Sequence, residues 1–285
     1  MKRTLLTVLI TLTATLTAPA ATLRFTAIPD ENTARLTERF DKVAAYLSKQ
    51  LGVDVEYVPV KSYPASVSAF KNNEVQLAWF GGLSGVQARL AVPGAQAIAQ
   101  GEEDTQFITY FIANICTGID ASTPFPKAIQ GHTFSFGSKG STSGRLMPEF
   151  YIRHYLSKSP EQLFSRVGYS GDHSKTIALV QSGSYEIGVT NYKVWEKELA
   201  EGLIDTTRVR VIWQTPTYPD YNWSIRGDVN ETFGKGFIAK VQKALLDLSD
   251  PDLLNSFPRA KFIKADNSMY DPILKTAIEI GIIEH

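Results

Sequence analysis

The 285-residue chain holds a single cysteine, Cys116, so no internal disulfide can brace it. Histidine is scarce as well, with four in the whole chain and no C-x-x-C or H-E-x-x-H spacing. That pattern removes the common zinc sites, and neither a metal nor a cofactor is expected. A G-x-S-x-G elbow is also missing, which takes away a frequent serine-nucleophile turn. No charge of one sign dominates, because 29 Lys and Arg face 29 Asp and Glu. A neutral chain offers no electrostatic footprint to nucleic acid or to an anionic membrane surface. The one apolar run, Thr4 to Thr17, is broken by threonines and falls short of the ~20 residues that span a bilayer.

What is present begins with that run. Met1-Lys2-Arg3 is a basic start, the apolar stretch follows, and Ala18-Pro19-Ala20 supplies an A-x-A site. Together they read as a secretory signal peptide over residues 1–20, cleaved after Ala20, which sends the mature protein to the periplasm. Losing Lys2 and Arg3 leaves 27 basic against 29 acidic residues, a formal charge of −2. The mature length suits two lobes of ~100–150 residues each, and 44% hydrophobic residues can fill their cores.

The periodicity then alternates. Thr22–Ile28 reads as a strand, Thr33–Leu51 as a helix ending at Gly52, Val53–Val60 as a strand and Tyr63–Phe70 as a helix opened by Pro64. Val75–Phe80, stopped by Gly81-Gly82, is a third strand, and Leu83–Leu90 a third helix. Gln96–Gln100 and Gln106–Ile115 are further strands. The Thr-, Ser- and Pro-rich stretch Cys116–Pro126 reads as the crossing into a second lobe. There the pattern restarts with strand His132–Phe136, helix Ser143–Leu156, strand Ser165–Tyr169, helix His173–Gln181, strand Glu186–Thr190, helix Tyr192–Leu199 and strand Val209–Trp213. Thr215–Asn222 is the return crossing, followed by strand Trp223–Gly227 and helices Thr232–Leu248 and Met269–Ile278. The expected fold is α/β, a two-lobed hinged clamshell with residues 21–115 and 222–285 in lobe 1 and 116–221 in lobe 2. No internal repeat is visible.

Ligands in such sheets sit beyond the carboxyl ends of strands, which in a clamshell face the cleft. The distinctive residues gather there: Pro29-Asp30, Ser62-Tyr63, Phe80-Gly81-Gly82, Ser141–Ser143, Gly171-Asp172-His173 and Thr190-Asn191-Tyr192. Ser141, Thr142 and Ser143 stand between glycines, after a strand and before a helix. Free backbone N–H groups, hydroxyls and the positive end of the helix dipole therefore meet at an anion site. A plain N-cap would need one hydroxyl only. Tyr63, at a strand–helix junction, aims a hydroxyl into the cleft. Phe80, beside two glycines that allow close backbone approach, is a cleft wall, whereas Trp79 belongs to the core. At a helix start the dipole disfavours a protonated His173, while a bound dianion would favour it.

Six segments then carry a family likeness: IPDENT (Ile28–Thr33), VPVKSYPA (Val58–Ala65), LAWFGGLSGVQAR (Leu77–Arg89), GSTSG (Gly140–Gly144), GDHSKT (Gly171–Thr176) and TNYKVW (Thr190–Trp195). In this order, over most of the mature chain, they resemble the phosphonate- and phosphite-binding periplasmic proteins of ABC transporters, nearest to the branch often labelled selenate-binding. The resemblance implies a type II periplasmic-binding fold, no catalysis, and delivery of a small oxyanion or phosphonate to an inner-membrane permease by a monomer. It also implies that Tyr63, Ser141, Thr142, Ser143 and His173 bind the ligand, and the residues beside it add the Phe80-Gly81 loop, closing from the other lobe. Family members that take a protonated phosphonate or phosphite place an Asp where this chain has Asn191. An ionised Asp only accepts, whereas an Asn can donate, so Asn191 tilts the expectation toward a proton-free oxyanion such as selenate or sulfate. The same Asn191 reads equally well as the N-cap before Tyr192.

Two other outputs stay open. One is a periplasmic sensor for a membrane kinase, including an arsenite sensor using Cys116, although such a cysteine is more often small and buried. The other is a phosphate-ester enzyme built on Asp172-His173-Ser174, whose side chains, adjacent at a helix start, do not point at one another.

Overall fold

The computed structural model describes residues 21–284. The proposed signal peptide lies outside these residues. None of the helices described is long and apolar enough to cross a membrane.

The first lobe opens with β1 (Leu23–Ala27), α1 (Thr33–Leu51), β2 (Val55–Tyr57), α2 (Tyr63–Lys71), β3 (Leu77–Phe80), α3 (Gly82–Ala91) and β4 (Gln96–Gly101). Local chemistry sets these bounds. The Asn32 side chain accepts from the N–H groups of Ala34 and Arg35 to start α1, and Gly52, at φ +70°, ends it. The helix buries Leu36, Phe40, Val43, Leu47 and Leu51 as one stripe. Ser62 caps α2, with Pro64 in its first turn.

The chain next enters β5 (Thr109–Asn114), which pairs with the second sheet and not the first. This corrects the lobe boundary: the crossing lies at residues 102–108, not after residue 115. The second lobe continues through β6 (Thr133–Phe136), α4 (Met147–Leu156), α5 (Pro160–Leu163), β7 (Arg166–Tyr169), α6 (His173–Gln181), β8 (Ile187–Asn191), α7 (Tyr192–Ala200) and β9 (Val209–Gln214). The chain then returns to β10 (Asn222–Ile225), α8 (Val229–Phe233), α9 (Phe237–Leu246), α10 (Pro251–Ser256), β11 (Phe262–Lys264) and α11 (Asp271–Glu279). The expected single helix over 232–248 is two, because Gly234 and Gly236 adopt φ of +97° and +86° between them.

The two sheets run β11-β4-β10-β3-β1-β2 and β7-β6-β8-β5-β9. β1 pairs in parallel with β2 and β3, as β6 does with β7 and β8. In each sheet the strand that has just crossed from the other lobe slots in antiparallel beside the third strand: β10 against β3 and β5 against β8. Each lobe therefore repeats the order second, first, third, crossing strand, fourth. The exchange of one strand each way ties the lobes into a type II two-lobed fold.

The crossings themselves are paired. Phe107 and Tyr218 exchange both backbone hydrogen bonds, at 2.8 and 3.0 Å. Arg259 then braces this hinge, holding the Asp104 carboxylate with Nε and Nη2 at 2.8 and 2.7 Å while its guanidinium lies over the rings of Phe107 and Tyr221. The pair is wholly buried, so its bidentate geometry is what makes the burial of two charges tolerable.

Candidate ligand-binding site between the lobes

After β6 the chain turns tightly enough that the Gly137 N–H reaches the Gly144 carbonyl at 2.8 Å, and residues Thr142–Leu146 wind as a π-helical turn leading into α4. A side chain at Gly144 would meet the Ser141 hydroxyl at 2.9 Å and the Gly137 Cα at 3.2 Å, so glycine is required by space here. Ser141 Oγ accepts from the Gly144 N–H at 2.9 Å, which makes it the cap of this turn. A hydroxyl that accepts still has its own proton to donate. The first N–H groups of the turn are those that intrahelical bonding leaves over. Ser141, Thr142 and Ser143 are all buried.

The first lobe meets this turn through its glycines. The Leu83 N–H donates to Thr142 Oγ1 at 3.0 Å, and the Gly82 N–H donates to Asp220 Oδ1 at 2.8 Å. A Cβ on Gly81 would stand 3.2 Å from Asp220 Oδ1 and 3.4 Å from Thr142 Oγ1. The glycine pair thus admits the close approach expected of it, but it is the backbone that faces the second lobe. The Phe80 ring corrects the cleft-wall expectation: it is fully buried, edge-on to Phe70 of α2. Trp79, expected in the core, packs against Trp223, Phe257 and Phe262 and also stacks on Tyr221 of the return crossing. Tyr63 comes within touching distance of the second lobe, since a Cβ on Gly140 would meet its own Cβ at 3.1 Å. Burial, followed by the charge of Asp30, pushes the Tyr63 pKa well up and keeps its hydroxyl as a neutral donor.

His173 opens α6, where Asp172 Oδ1 accepts from the Lys175 N–H as the cap. Its own N–H donates across the cleft to the Asp30 carbonyl at 3.0 Å. The ring is completely enclosed, and this burial lowers its pKa to about 4, against the pull of Asp172 and Glu31. Nδ1 accepts from the Asn191 N–H at 3.2 Å, which puts the ring proton on Nε2, 3.4 Å from Ser143 Oγ. His173 is therefore a neutral donor pointed at the Ser-Thr-Ser turn. Asn191 does what a cap does. Its Oδ1 accepts from the Val194 N–H at 2.7 Å, and its Nδ2 donates to the Tyr221 hydroxyl at 2.9 Å. Tyr221 in turn donates to Asp30 Oδ2 at 2.8 Å. One proton of the Asn191 amide and its oxygen are thus held by protein partners, while the second Nδ2 proton is still able to donate.

Sequence reasoning placed Asp30 among the residues at the strand ends without giving it a role, and it passed over Asp220. Asp30 Oδ1 and Asp220 Oδ2 are buried oxygens without a hydrogen-bond partner among the described residues. Desolvation raises the Asp220 pKa to about 7, with the Gly82 N–H and the Thr142 hydroxyl opposing it. Desolvation and then the neighbouring Glu31 charge raise that of Asp30 to about 6. Asp30 stands beyond the carboxyl end of β1 and Asp220 in the polar return crossing, so position was the available signal. Thr109 and Tyr218 were missed as well. Their hydroxyls lie 2.6 Å apart, and Thr109 also donates to the Ser143 carbonyl at 2.9 Å, steadying the turn. Cys116 departs from expectation too, being exposed on the second lobe.

With this geometry in view, comparison with known proteins places the chain. Residues 25–270 match the family model described as the ABC transporter, phosphonate, periplasmic substrate-binding protein. The chain belongs to this family. It is a periplasmic substrate-binding component of the phosphonate ABC-transporter type. A probable ABC transporter phosphite-binding protein, PhnD1, of Prochlorococcus marinus strain MIT 9301 is 39% identical over 273 residues, covering 91% of this chain and 88% of that protein. The structure of PhnD1 from that organism in complex with methylphosphonate superposes with a TM-score of 0.88 at 38% identity, covering 92% of this chain and 99% of the other. A binding-protein component of an ABC phosphonate transporter from Pseudomonas aeruginosa shares the fold, with a TM-score of 0.80 at 19% identity over 92% of this chain and 87% of that one.

Proposed function

We propose that this protein captures a small phosphorus oxyanion carrying one proton, phosphite or a short phosphonate such as methylphosphonate, and presents it to an inner-membrane permease. The observation that carries this reading is the buried Asp220 carboxylate, with one oxygen unpartnered, beside the Thr142 hydroxyl. The Ser141–Ser143 turn, the Nε2–H of His173 and the Tyr63 hydroxyl are donors suited to anionic oxygens. A carboxylate among them suits a ligand that brings a P–OH, since an ionised carboxylate can only accept. Fully deprotonated selenate or sulfate brings no proton, so Asp220 and Asp30 would have to be protonated from solvent to face the dianion, a cost that a ligand with its own P–OH avoids. The relatives' named ligands agree with this choice.

A binding role rather than catalysis is supported by His173: with its proton on Nε2 it cannot accept from Ser143, as a general base would have to. Asp172, the other member of the supposed acid–base set, is the cap of α6. Export with cleavage after Ala20, a monomeric state and indifference to nucleic acid belong to the same proposal.

Isothermal titration of refolded, ligand-free mature protein with phosphite, methylphosphonate, phosphate, sulfate and selenate tests it. Tight binding of phosphite or methylphosphonate, with sulfate and selenate much weaker, is expected. Preference for sulfate or selenate would overturn the protonated-ligand assignment, and release of inorganic phosphate from an ester would overturn the binding-only role.

A further inference from the structure

Away from the anion-binding turn, a second set of contacts joins the lobes, made by charges alone. Glu31, just before the cap of α1, and Arg35 and Arg39 within it follow at four-residue spacing, as do Lys197 in the last turn of α7 and Glu201 at its C-cap. Lys197 Nζ reaches Glu31 Oε2 at 3.1 Å, and Arg35 Nη1 reaches Glu201 Oε2 at 2.6 Å, each pair bridging the two lobes. Arg39 holds the other oxygen of Glu31 from within the first lobe. Glu31 and Arg39 are almost wholly buried, Lys197 is less than one-quarter exposed, and Arg35 and Glu201 are a little over one-third exposed. The Glu31 carboxyl sits below its ordinary value because Arg39 and Lys197 outweigh its burial.

We infer that this charge zipper is a closure latch, which sets how tightly the protein holds any ligand without touching the ligand. When the lobes part, Glu31 keeps Arg39, but Lys197, Arg35 and Glu201 lose their partners to water. Their attraction therefore belongs to the closed form only. A ligand that binds the closed form inherits that preference as affinity, by the same factor for every ligand. The Lys197–Glu31 contact, being sheltered, resists salt, whereas the Arg35–Glu201 contact is screened by it. The inference rests on the ligand-capture reading but not on which oxyanion is captured.

The test is titration of the mature protein and its variants with methylphosphonate and with phosphite, together with stopped-flow dissociation. K197M is expected to weaken both ligands about tenfold, chiefly through faster release, and to leave their order unchanged. R35E and E201R should each weaken binding about three- to fivefold, and the double reversal R35E/E201R should restore it. Unchanged affinity in K197M and R35E, a double reversal no better than its parents, or a factor that differs between the two ligands would overturn the latch. If the unmodified protein binds neither ligand, the proposed function fails. The latch is then decided by small-angle scattering of ligand-free protein: R35E and E201R must be more expanded than both the unmodified protein and R35E/E201R, and equal radii would refute it.

Discussion

The two lobes are built to one plan and equipped oppositely. Both lay their strands in the order second, first, third, crossing strand, fourth, and both point strand ends and helix starts at the cleft. The second lobe brings donors: the Ser141–Ser143 hydroxyls, the leftover N–H groups of their turn and the Nε2–H of His173. The first lobe and the return crossing bring buried carboxylates, Asp30 and Asp220, together with the Tyr63 hydroxyl and the backbone of Gly81 and Gly82. An anion that only accepted hydrogen bonds would satisfy one lobe and be repelled by the other. A singly protonated oxyanion has something for each. On the proposed reading, selectivity arises from the pairing of unlike lobes, which neither sheet contains alone.

The sharpest way to break this asymmetry is D220N, which replaces an acceptor with a group able to donate. We expect methylphosphonate affinity to fall about 10- to 100-fold, as for the loss of a hydrogen bond to a charged group, while sulfate affinity rises. Titration of both ligands checks it, and a fall shared equally by sulfate would show Asp220 to be structural only. T142A should weaken binding about tenfold and also lower stability by about 1–3 kcal/mol, because the buried Leu83 N–H loses its acceptor in the closed form. Chemical denaturation with and without ligand separates the two effects.

Titration with pH sharpens the comparison further. Asp220 binds its proton more tightly when folded, near pH 7, than at its ordinary 3.8. Its stabilising contribution is therefore complete below about pH 4 and is lost as pH rises through about 7. His173 runs the other way. Its pKa falls from 6.5 to about 4 on folding, so its contribution is present above 6.5 and is lost as pH falls through about 4. Melting curves of ligand-free D220N should lose the decline toward neutral pH, and those of H173Q the decline toward acid. Either variant keeping the parent's slope would contradict the assignment. The smallest effect belongs to Asn191. N191A should cost about 1 kcal/mol of stability as a lost cap, and N191D should leave the order of ligands unchanged, both readable by melting and titration. An inverted ligand order in N191D would return that residue to the centre of selectivity.

Much of this was written locally. Helix α1 follows from Asn32, the stripe Leu36–Phe40–Val43–Leu47 and Gly52. The Ser-Thr-Ser turn follows from glycines and hydroxyls placed between a strand and a helix. His173 announced itself by standing at a helix start beyond a strand. These are properties of neighbours in sequence, and hydrophobic period, capping chemistry and left-handed glycines fix them before any long-range contact forms. The family, too, was legible, because six short segments in order are a linear property.

What the chain could not disclose by itself was partnership. The residues of β5 read as a strand in either lobe, and only the position of β8 and β9 decided which sheet received it. Phe80 and Trp79 are adjacent in one strand, yet one meets Phe70 of the helix just before it and the other meets Tyr221 of a crossing far along the chain. That one of the Asn191 amide protons goes to Tyr221 is decided only by the fold. Asp220 is an ordinary acidic residue in a crossing segment until burial raises its pKa and leaves one oxygen unpartnered. Charge pairing across lobes, as between Lys197 and Glu31, is likewise invisible at a separation of 166 residues. Sequence determined the elements, the turn that offers donors and the family. Tertiary structure decided which polar groups remained for a ligand, because hydrogen bonds and desolvation act between atoms close in space, whatever their distance along the chain.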